Sequence, residues 1–339
     1  IRERSFFPQF ALLQLCVGEQ VFLIDPLKIT DLQPLMCFFS NKDVVKIFHA
    51  CGEDIEVIYN WLQIPPVPIF DTQIAAGLLG IGFSLSYRKL VKDMCTVDLA
   101  KDQTRSDWLR RPLTESQCSY AAQDVLYLFR LWELLVARSD MSDKTKWILS
   151  DCELLIESHN ADRQNDHLRI SGGRKLPPRQ LYALYELSKW RERQARKRNL
   201  PRRWILDDKS CVRLAEEIPS TRKILRSLIR LPTDFEQEDE EMILKVFDNC
   251  RAVSAEFLPP ARPLPLGRNI TKQIKPLKNL IIKIAGELGT VPEILFRSKD
   301  YDLLLRFSLG EDIEIPYYWN GWRKDLVIEP LKRHLIESC

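Results

Sequence analysis

Strand patterning is confined to the front of the chain, and this constrains the fold more than any other feature of the 339 residues. From Phe10 the apolar runs FALLQLCV and QVFLID, separated by Gly18 and Glu19, read as a hairpin of well-buried strands. DVVKIFHA (Asp43 to Ala50) reads as another strand. A helix follows over GEDIEVIYNWL, in which Ile55, Ile58, Tyr59 and Leu62 recur at helical spacing. VPIF then leads into DTQIAAGLLG, where Asp71 is placed to cap the helix by accepting from the amide of Gln73 or Ile74. Strands at the start and strand–helix pairs after them predict an α/β sheet domain. After about residue 140 the strand signal fades, and the polar NADRQNDHLRISGGRKLPPRQ, with Gly172-Gly173 and Pro177-Pro178, marks a boundary. Residues 177 to 255 read as short helices, and LPPARPLPLG, with four prolines, as a stiff linker. A last helical segment follows, including KDYDLLLRF behind the capping candidate Ser298. The length suits two or three separate cores, here one α/β domain and two small helical ones.

One helix of the first domain does not read as pure core. Thr114 with Gln117 three residues on forms a capping box, and Pro112 stands just outside it. Counting from there, Cys118, Ala121, Ala122, Val125, Phe129 and Trp132 form the expected buried stripe, and Gln117, Tyr120, Asp124 and Tyr127 a neighbouring one. Tyr120 and Asp124 therefore face the same way. Asp124 sits mid-helix with no capping role, so burying it needs a partner or a cation. Asp54 lies in the first turn of a helix that follows a strand, at the end of the sheet where α/β folds gather ligands. A carboxylate there could equally serve the helix N-terminus alone.

Two such acids from separate elements can hold a divalent metal, and about four can hold a pair of metals roughly 4 Å apart, as in phosphoryl-transfer enzymes. Only hard oxygen ligands are on offer. The nine cysteines are scattered without a C-x-x-C pair, which is the usage of reduced thiols, and the four histidines have no ligand-like spacing. No Walker loop, nucleophile elbow or H-E-x-x-H competes. The longest apolar runs fall short of the ~20 residues of a membrane helix, and no signal-peptide pattern opens the sequence, so a soluble intracellular protein is expected.

Basic residues cluster twice. Lys189 to Arg203 holds eight Lys or Arg with Glu192 as the only counter-charge within it, a density suited to phosphate contacts or to a solvated helix face. Trp190 and Trp204 flank this run with the spacing of core anchors. KDQTRSDWLRRPL places Lys101, Arg105, Arg110 and Arg111 just before the Tyr120 helix, as a clamp for a phosphate backbone, with Trp108 and Pro112 as packing residues. His49 is expected to be a satisfied structural histidine, and the acidic DFEQEDEE to supply charge at a helix N-terminus.

Four stretches, FFPQFALLQL, FHACGEDIEVIYNWL, IFDTQIAAGLLG and RSDWLRRPLTESQCSYAAQDVLYL, together resemble ribonuclease D over the first 130 residues. The resemblance implies an α/β ribonuclease H-like exonuclease domain with a mixed sheet and a site of four acids and a tyrosine. Y-x-x-x-D at Tyr120 and Asp124 matches the family's third exonuclease motif, and Asp54 in GEDIEV its second. The first, D-x-E on a central strand, is expected just ahead of RERSFFPQF. Glu3 falls after that position and reads as a solvated loop charge. An N-terminally truncated copy follows, inactive and poorly folded on its own. LPPRQLYALYELSKWRERQARKRNLPRRWILDDKSCVRLAEEIPSTRKIL is similar to the all-α HRDC domain, while VPEILFRSKDYDLLL and NGWRKDLV resemble a second, divergent copy. Two copies favour bacterial ribonuclease D over its eukaryotic exosome relative. The expected domains are 1–170, 171–256 and 257–339.

The same resemblance implies two divalent cations, Mg²⁺ or Mn²⁺. Asp124 would hold the one that activates water, Asp54 would help to hold the second, and Tyr120 would orient the nucleophile. Hydrolysis would release nucleoside 5′-monophosphates one at a time from the 3′ end of structured RNA, tRNA precursors above all. Lys101, Arg105 and Arg111 would clamp the RNA, and Arg193, Arg196, Lys197 and Arg198 of the HRDC domain would bind it. A cytoplasmic monomer without membrane contact is expected. Two alternatives stand: a 3′-to-5′ DNA exonuclease on the same scaffold, separated by contacts to the 2′-OH, and a non-catalytic RNA-binding protein without the first acidic motif.

Overall fold

The computed structural model describes residues 5–99, 106–161, 170, 173, 176–232, 235–259 and 265–337. Strands β1 (Leu13–Val17) and β2 (Gln20–Ile24) make the expected hairpin, antiparallel, with Leu13 opposite Ile24 and Val17 opposite Gln20. Their two-residue turn needs a positive φ, which Gly18 supplies at 61°. The strands are not well buried as expected: of their ten residues only Leu13 is fully buried, because their inner side borders a cavity instead of a packed layer. The next strand is shorter than its apolar run. β3 is Lys46–Phe48, paired in parallel with β4 (Ile69–Asp71), while Val44 and Val45 stay exposed outside the ladder.

Helices α1 (Gln33–Ser40), α2 (Gly52–Leu62), α3 (Thr72–Leu78) and α4 (Tyr87–Cys95) surround these ribbons, followed by α5 (Glu115–Leu126), α6 (Leu128–Asp140) and α7 (Thr145–Ala161). α2 buries Ile55, Ile58 and Leu62, as the spacing requires. Ile55, Phe70, Leu78, Leu90, Leu131 and Leu135 form the centre of the α/β core, each contributing about 1.5–3 kcal/mol on burial. The predicted stripe through Trp132 is broken. The chain turns at Tyr127, whose amide donates to the Tyr87 hydroxyl at 3.1 Å. Of the stripe, only Ala121 is fully buried and Phe129 is 45% exposed, since Val125, Phe129 and Trp132 line the cavity.

The entrance to α5 is as expected. Thr114 Oγ1 accepts from the Gln117 amide at 3.2 Å, and Gln117 Oε1 accepts from the Thr114 amide at 3.0 Å. Thr114→Ala should lower unfolding free energy in urea by about 1 kcal/mol with an unchanged m-value.

By contacts the chain forms two compact units, residues 10–159 with those from 265 on, and residues 160–264 with the first nine. In the second, α8 (Pro178–Arg198), α9 (Arg202–Ile205), α10 (Asp208–Glu217), α11 (Arg222–Leu228) and α12 (Gln237–Ala252) enclose Leu184, Leu187, Trp190, Leu214, Ile243 and Phe247. Short helices do not describe α8, which runs for 21 residues because its apolar positions stay in helical phase with no breaker before Asn199. Phe6 packs here, between the guanidinium groups of Arg196 and Arg202.

In the first unit, the C-terminal α13 (Arg268–Thr271), α14 (Ile274–Leu288), α15 (Pro292–Leu295), α16 (Ser298–Ser308) and α17 (Glu329–Glu337) have their own core around Leu277, Ile281, Leu304 and Trp319. They are also bolted to the α/β part. Buried Lys144 Nζ donates to the carbonyls of Leu78 (2.8 Å) and Gly289 (2.6 Å), and Thr290 Oγ1 donates to Gly77 O at 3.0 Å. A Cβ on Gly77 would meet Ile294 Cδ1 at 2.7 Å, so glycine permits this approach. Among the described residues no helix is long and apolar enough to cross a membrane.

Candidate active site

A single buried carboxylate sets the start of two helices. Asp71, 1% exposed, accepts from Gln73 N (2.7 Å) and Ile74 N (3.3 Å), as the sequence predicts for α3. It also accepts from Ala50 N (3.1 Å) and Cys51 N (2.8 Å) at the start of α2. This second pair follows from Phe48 lying opposite Asp71 in the β3–β4 register. The clamp fixes the first turn of α2, and with it Asp54.

Beside that turn a cavity of about 860 Å³ is bounded by β1, β3, α1, α2, α5 and α6. Asp54 and Asp124, from separate helices, both line it, together with His49, Tyr87 and apolar side chains such as Ile58 and Trp132. Residues of β1 and β3 line it, and among the described residues neither strand has a partner other than its hairpin or ribbon mate. Neither carboxylate accepts a hydrogen bond or ion pair from a described residue. Water reaches Asp54 through the cavity. Even so, the surrounding protein holds its carboxyl up at about 6, through desolvation first and then the charges of Glu53 and Asp71. Desolvation alone holds Asp124 at about 6.

Two desolvated carboxylates without donors fit a divalent cation, which would supply the missing positive charge. Among the described residues no group of three His, Cys, Asp or Glu is gathered for a metal. The pH dependence has a definite sign. Between about 3.8 and 6 the folded metal-free protein binds protons that the unfolded chain has released, so stability rises as pH falls through that window. The metal-free protein should melt higher at pH 5 than at pH 7, and Asp124→Asn should diminish that difference.

Tyr120 stands one turn before Asp124 on α5, its ring 6.0 Å from that of Trp108. Burial, and then the charge of Asp124, raise its pKa, so the phenol stays protonated. It is not among the residues lining the cavity. Tyr87, for which the sequence gives no signal, does line it, and burial first, then the charge of Asp124, raise its pKa. His49 is a satisfied structural histidine, as expected: burial keeps the ring neutral, Nε2–H donates to Leu85 O at 2.9 Å and Nδ1 accepts from the Thr72 hydroxyl at 2.9 Å.

The basic candidates divide. Glu3, Lys101 and Arg105 lie outside the described residues. Arg111 is a brace: Nε and Nη2 donate to Asp25 at 2.7 and 2.8 Å, Nη2 also to Ala11 O, and Nη1 to the carbonyls of Trp108 and Arg110. Its fork is occupied within the protein, which corrects its expected part in a backbone clamp. In α8, Arg196 pairs with Glu192 at 2.7 Å, and Arg198 with the fully buried Asp239 at 2.5 Å. Exposed Arg193 and Lys197, one turn apart, carry no such pair. Acids distant in sequence neutralise much of the run, and Asp239 and Glu240 are buried ion partners instead of mere helix-end charge. Trp190 is the core anchor expected, but Trp204 is 53% exposed.

Comparison with known proteins identifies relatives over the whole chain. Residues 1–139 match the family model described as 3′-5′ exonuclease, and residues 180–235 that of the HRDC domain. A ribonuclease D of Pseudomonas paraeruginosa is 37% identical over 329 residues, spanning 96% of this chain and 87% of that protein. The ribonuclease D of Escherichia coli is 32% identical, spanning 99% and 91%. The crystal structure of E. coli RNase D, described as an exoribonuclease involved in structured RNA processing, superposes with a TM-score of 0.88 at 31% identity, covering 99% of this chain and 91% of that one. The catalytic core of RRP6 from Trypanosoma brucei shares the fold, with a TM-score of 0.50 at 21% identity over 74% of this chain and 72% of that one.

Proposed function

The chain belongs to the ribonuclease D family of 3′-5′ exonucleases, and from that premise we propose that it shortens structured RNA from the 3′ end, tRNA precursors above all, by two-metal hydrolysis. One observation carries this: Asp54, open to water, and the half-buried Asp124 line one cavity from two helices, and neither accepts a hydrogen bond or ion pair from a described residue. Asp124 and Asp54 would hold the divalent cations, Mg²⁺ or Mn²⁺. When bound, these supply the Lewis acidity that makes water nucleophilic near neutral pH and stabilises the leaving oxygen. The Tyr120 phenol, kept protonated beside Asp124, orients the attacking water. Tyr120 stands one turn before Asp124 on the same helix. The resemblance to the family implies further carboxylates, from a D-x-E motif, beside Asp54 and Asp124. The proposal extends to a cytoplasmic monomer with RNA as its partner.

The test uses protein that includes the D-x-E segment and an RNA labelled at its 5′ end. A Mg²⁺-dependent ladder shrinking one nucleotide at a time, with nucleoside 5′-monophosphates released, is expected. Internal cuts would contradict the exonuclease. A matched DNA degraded faster than the RNA would favour the DNA enzyme instead.

A further inference from the structure

The cations of the C-terminal segment are not distributed like those of the HRDC helices. Some Lys and Arg of this segment are paired, Lys283 with Glu287, Arg306 with Asp302 and Glu311, Lys332 with Glu329. Lys278 on α14, and Arg297 and Lys299 at the start of α16, are exposed and have no ion pair among the described residues. They are nonetheless held in place. The Arg297 guanidinium lies 4.2 Å from the centre of the Tyr318 ring, Lys299 Nζ is 5.8 Å from that same ring, and Lys278 Nζ is 5.8 Å from the ring of Tyr301. The two tyrosines are tied together. Tyr318 Oη donates to buried Asp300 at 2.5 Å, Asp300 also accepts from the Arg297 amide at 2.9 Å, and Tyr301 follows Asp300 on α16. Beside Tyr318, at 5.6 Å and nearly perpendicular, stands the ring of Tyr317, which is 43% exposed.

We propose that Lys278, Arg297 and Lys299 with Tyr317 form a second RNA-docking surface, in which the cations bind backbone phosphates and Tyr317 stacks on a base. A guanidinium resting on an aromatic face is pre-organised, and its N–H edge is left free to grip a phosphate. An exposed aromatic ring beside unpaired cations is the arrangement by which single-stranded nucleic acid is held. An acidic protein would be served by the cations but not by Tyr317. The surface rests on the exoribonuclease reading for its ligand and would hold the body of a structured RNA apart from the 3′ end being shortened.

The test measures binding of the full chain to a 5′-fluorescein hairpin RNA with a single-stranded tail, by anisotropy, with divalent cations chelated so that nothing is cleaved. Lys278→Gln/Arg297→Gln/Lys299→Gln should weaken binding at least about tenfold and flatten the slope of log K against log salt by about 3. Tyr317→Ala should weaken binding roughly 5- to 100-fold with the slope unchanged. Thermal melts establish that each variant is folded. If the triple variant is not, exposed Lys299→Glu alone should lower the slope by about 1 or more. Unchanged affinity and slope in folded variants would overturn the surface, and a polyglutamate peptide competing as well as RNA would replace RNA with an acidic protein. Variant-sensitive binding without any Mg²⁺-dependent shortening would sink the exonuclease reading alone. Shortening with variant-insensitive binding would sink the docking surface alone.

Discussion

Asp124→Asn is expected to slow RNA shortening by roughly 10²–10³-fold while leaving RNA affinity within about twofold. The substitution keeps the shape of the side chain and removes the charge that a cation needs. It touches no helix cap and no ion pair, because Asp124 has no partner among the described residues, and desolvation is the only cause of its shift to about 6. A cation at this carboxylate stabilises charge that develops in the transition state by several kcal/mol, hence the large loss in turnover and the small one in binding. Tyr120→Phe should cost less, about tenfold, as one orienting hydrogen bond is worth about 1 kcal/mol. Single-turnover rates and RNA affinities of the two variants check both numbers, and a comparable fall in affinity would make Asp124 a substrate contact instead.

Asp151→Ala is expected to lower the unfolding free energy by about 3–5 kcal/mol. Asp151 on α7 receives both arms of Arg323 at 2.6 Å, and both side chains are under a tenth exposed. Arg323 also donates to Ile294 O at 3.0 Å and lies over Trp322, which stacks on Trp147 with centroids 4.5 Å apart and donates its own N–H to Asp151. Truncating the acid strands a buried guanidinium, which is the costly way to break such a pair. Replacing both partners, Asp151→Leu with Arg323→Met, should recover most of the loss. Urea unfolding of the three variants tests this, and an Asp151→Ala cost below about 1 kcal/mol would mean that water reaches Arg323.

Local chemistry was legible in the sequence wherever the partner lies within a few residues. The Thr114–Gln117 box, the Asp71 cap on α3, the hairpin at Gly18 and the buried face of α2 all follow from short-range rules. What depends on distant partners was not legible. The second half of the Asp71 clamp needs the β3–β4 register, the quenching of Arg198 needs Asp239 from another helix, and Arg111 looked available until Asp25 met it. Helical periodicity placed Val125, Phe129 and Trp132 in a core. They face a cavity instead, because periodicity reports which side is apolar and not what stands opposite. Tyr120 and Asp124 could be paired from their spacing, and Asp54 added by resemblance, but the cavity that Asp54 and Asp124 share emerged only from the packing of α2 and α5.

Mn²⁺ uptake, followed through the electron paramagnetic resonance signal of free Mn²⁺, tests the metal site most directly. The protein carrying the D-x-E segment should bind Mn²⁺ without RNA, and Asp54→Asn and Asp124→Asn should each weaken that binding by at least about tenfold. Unaltered Mn²⁺ binding in both variants would contradict the assignment of these two carboxylates.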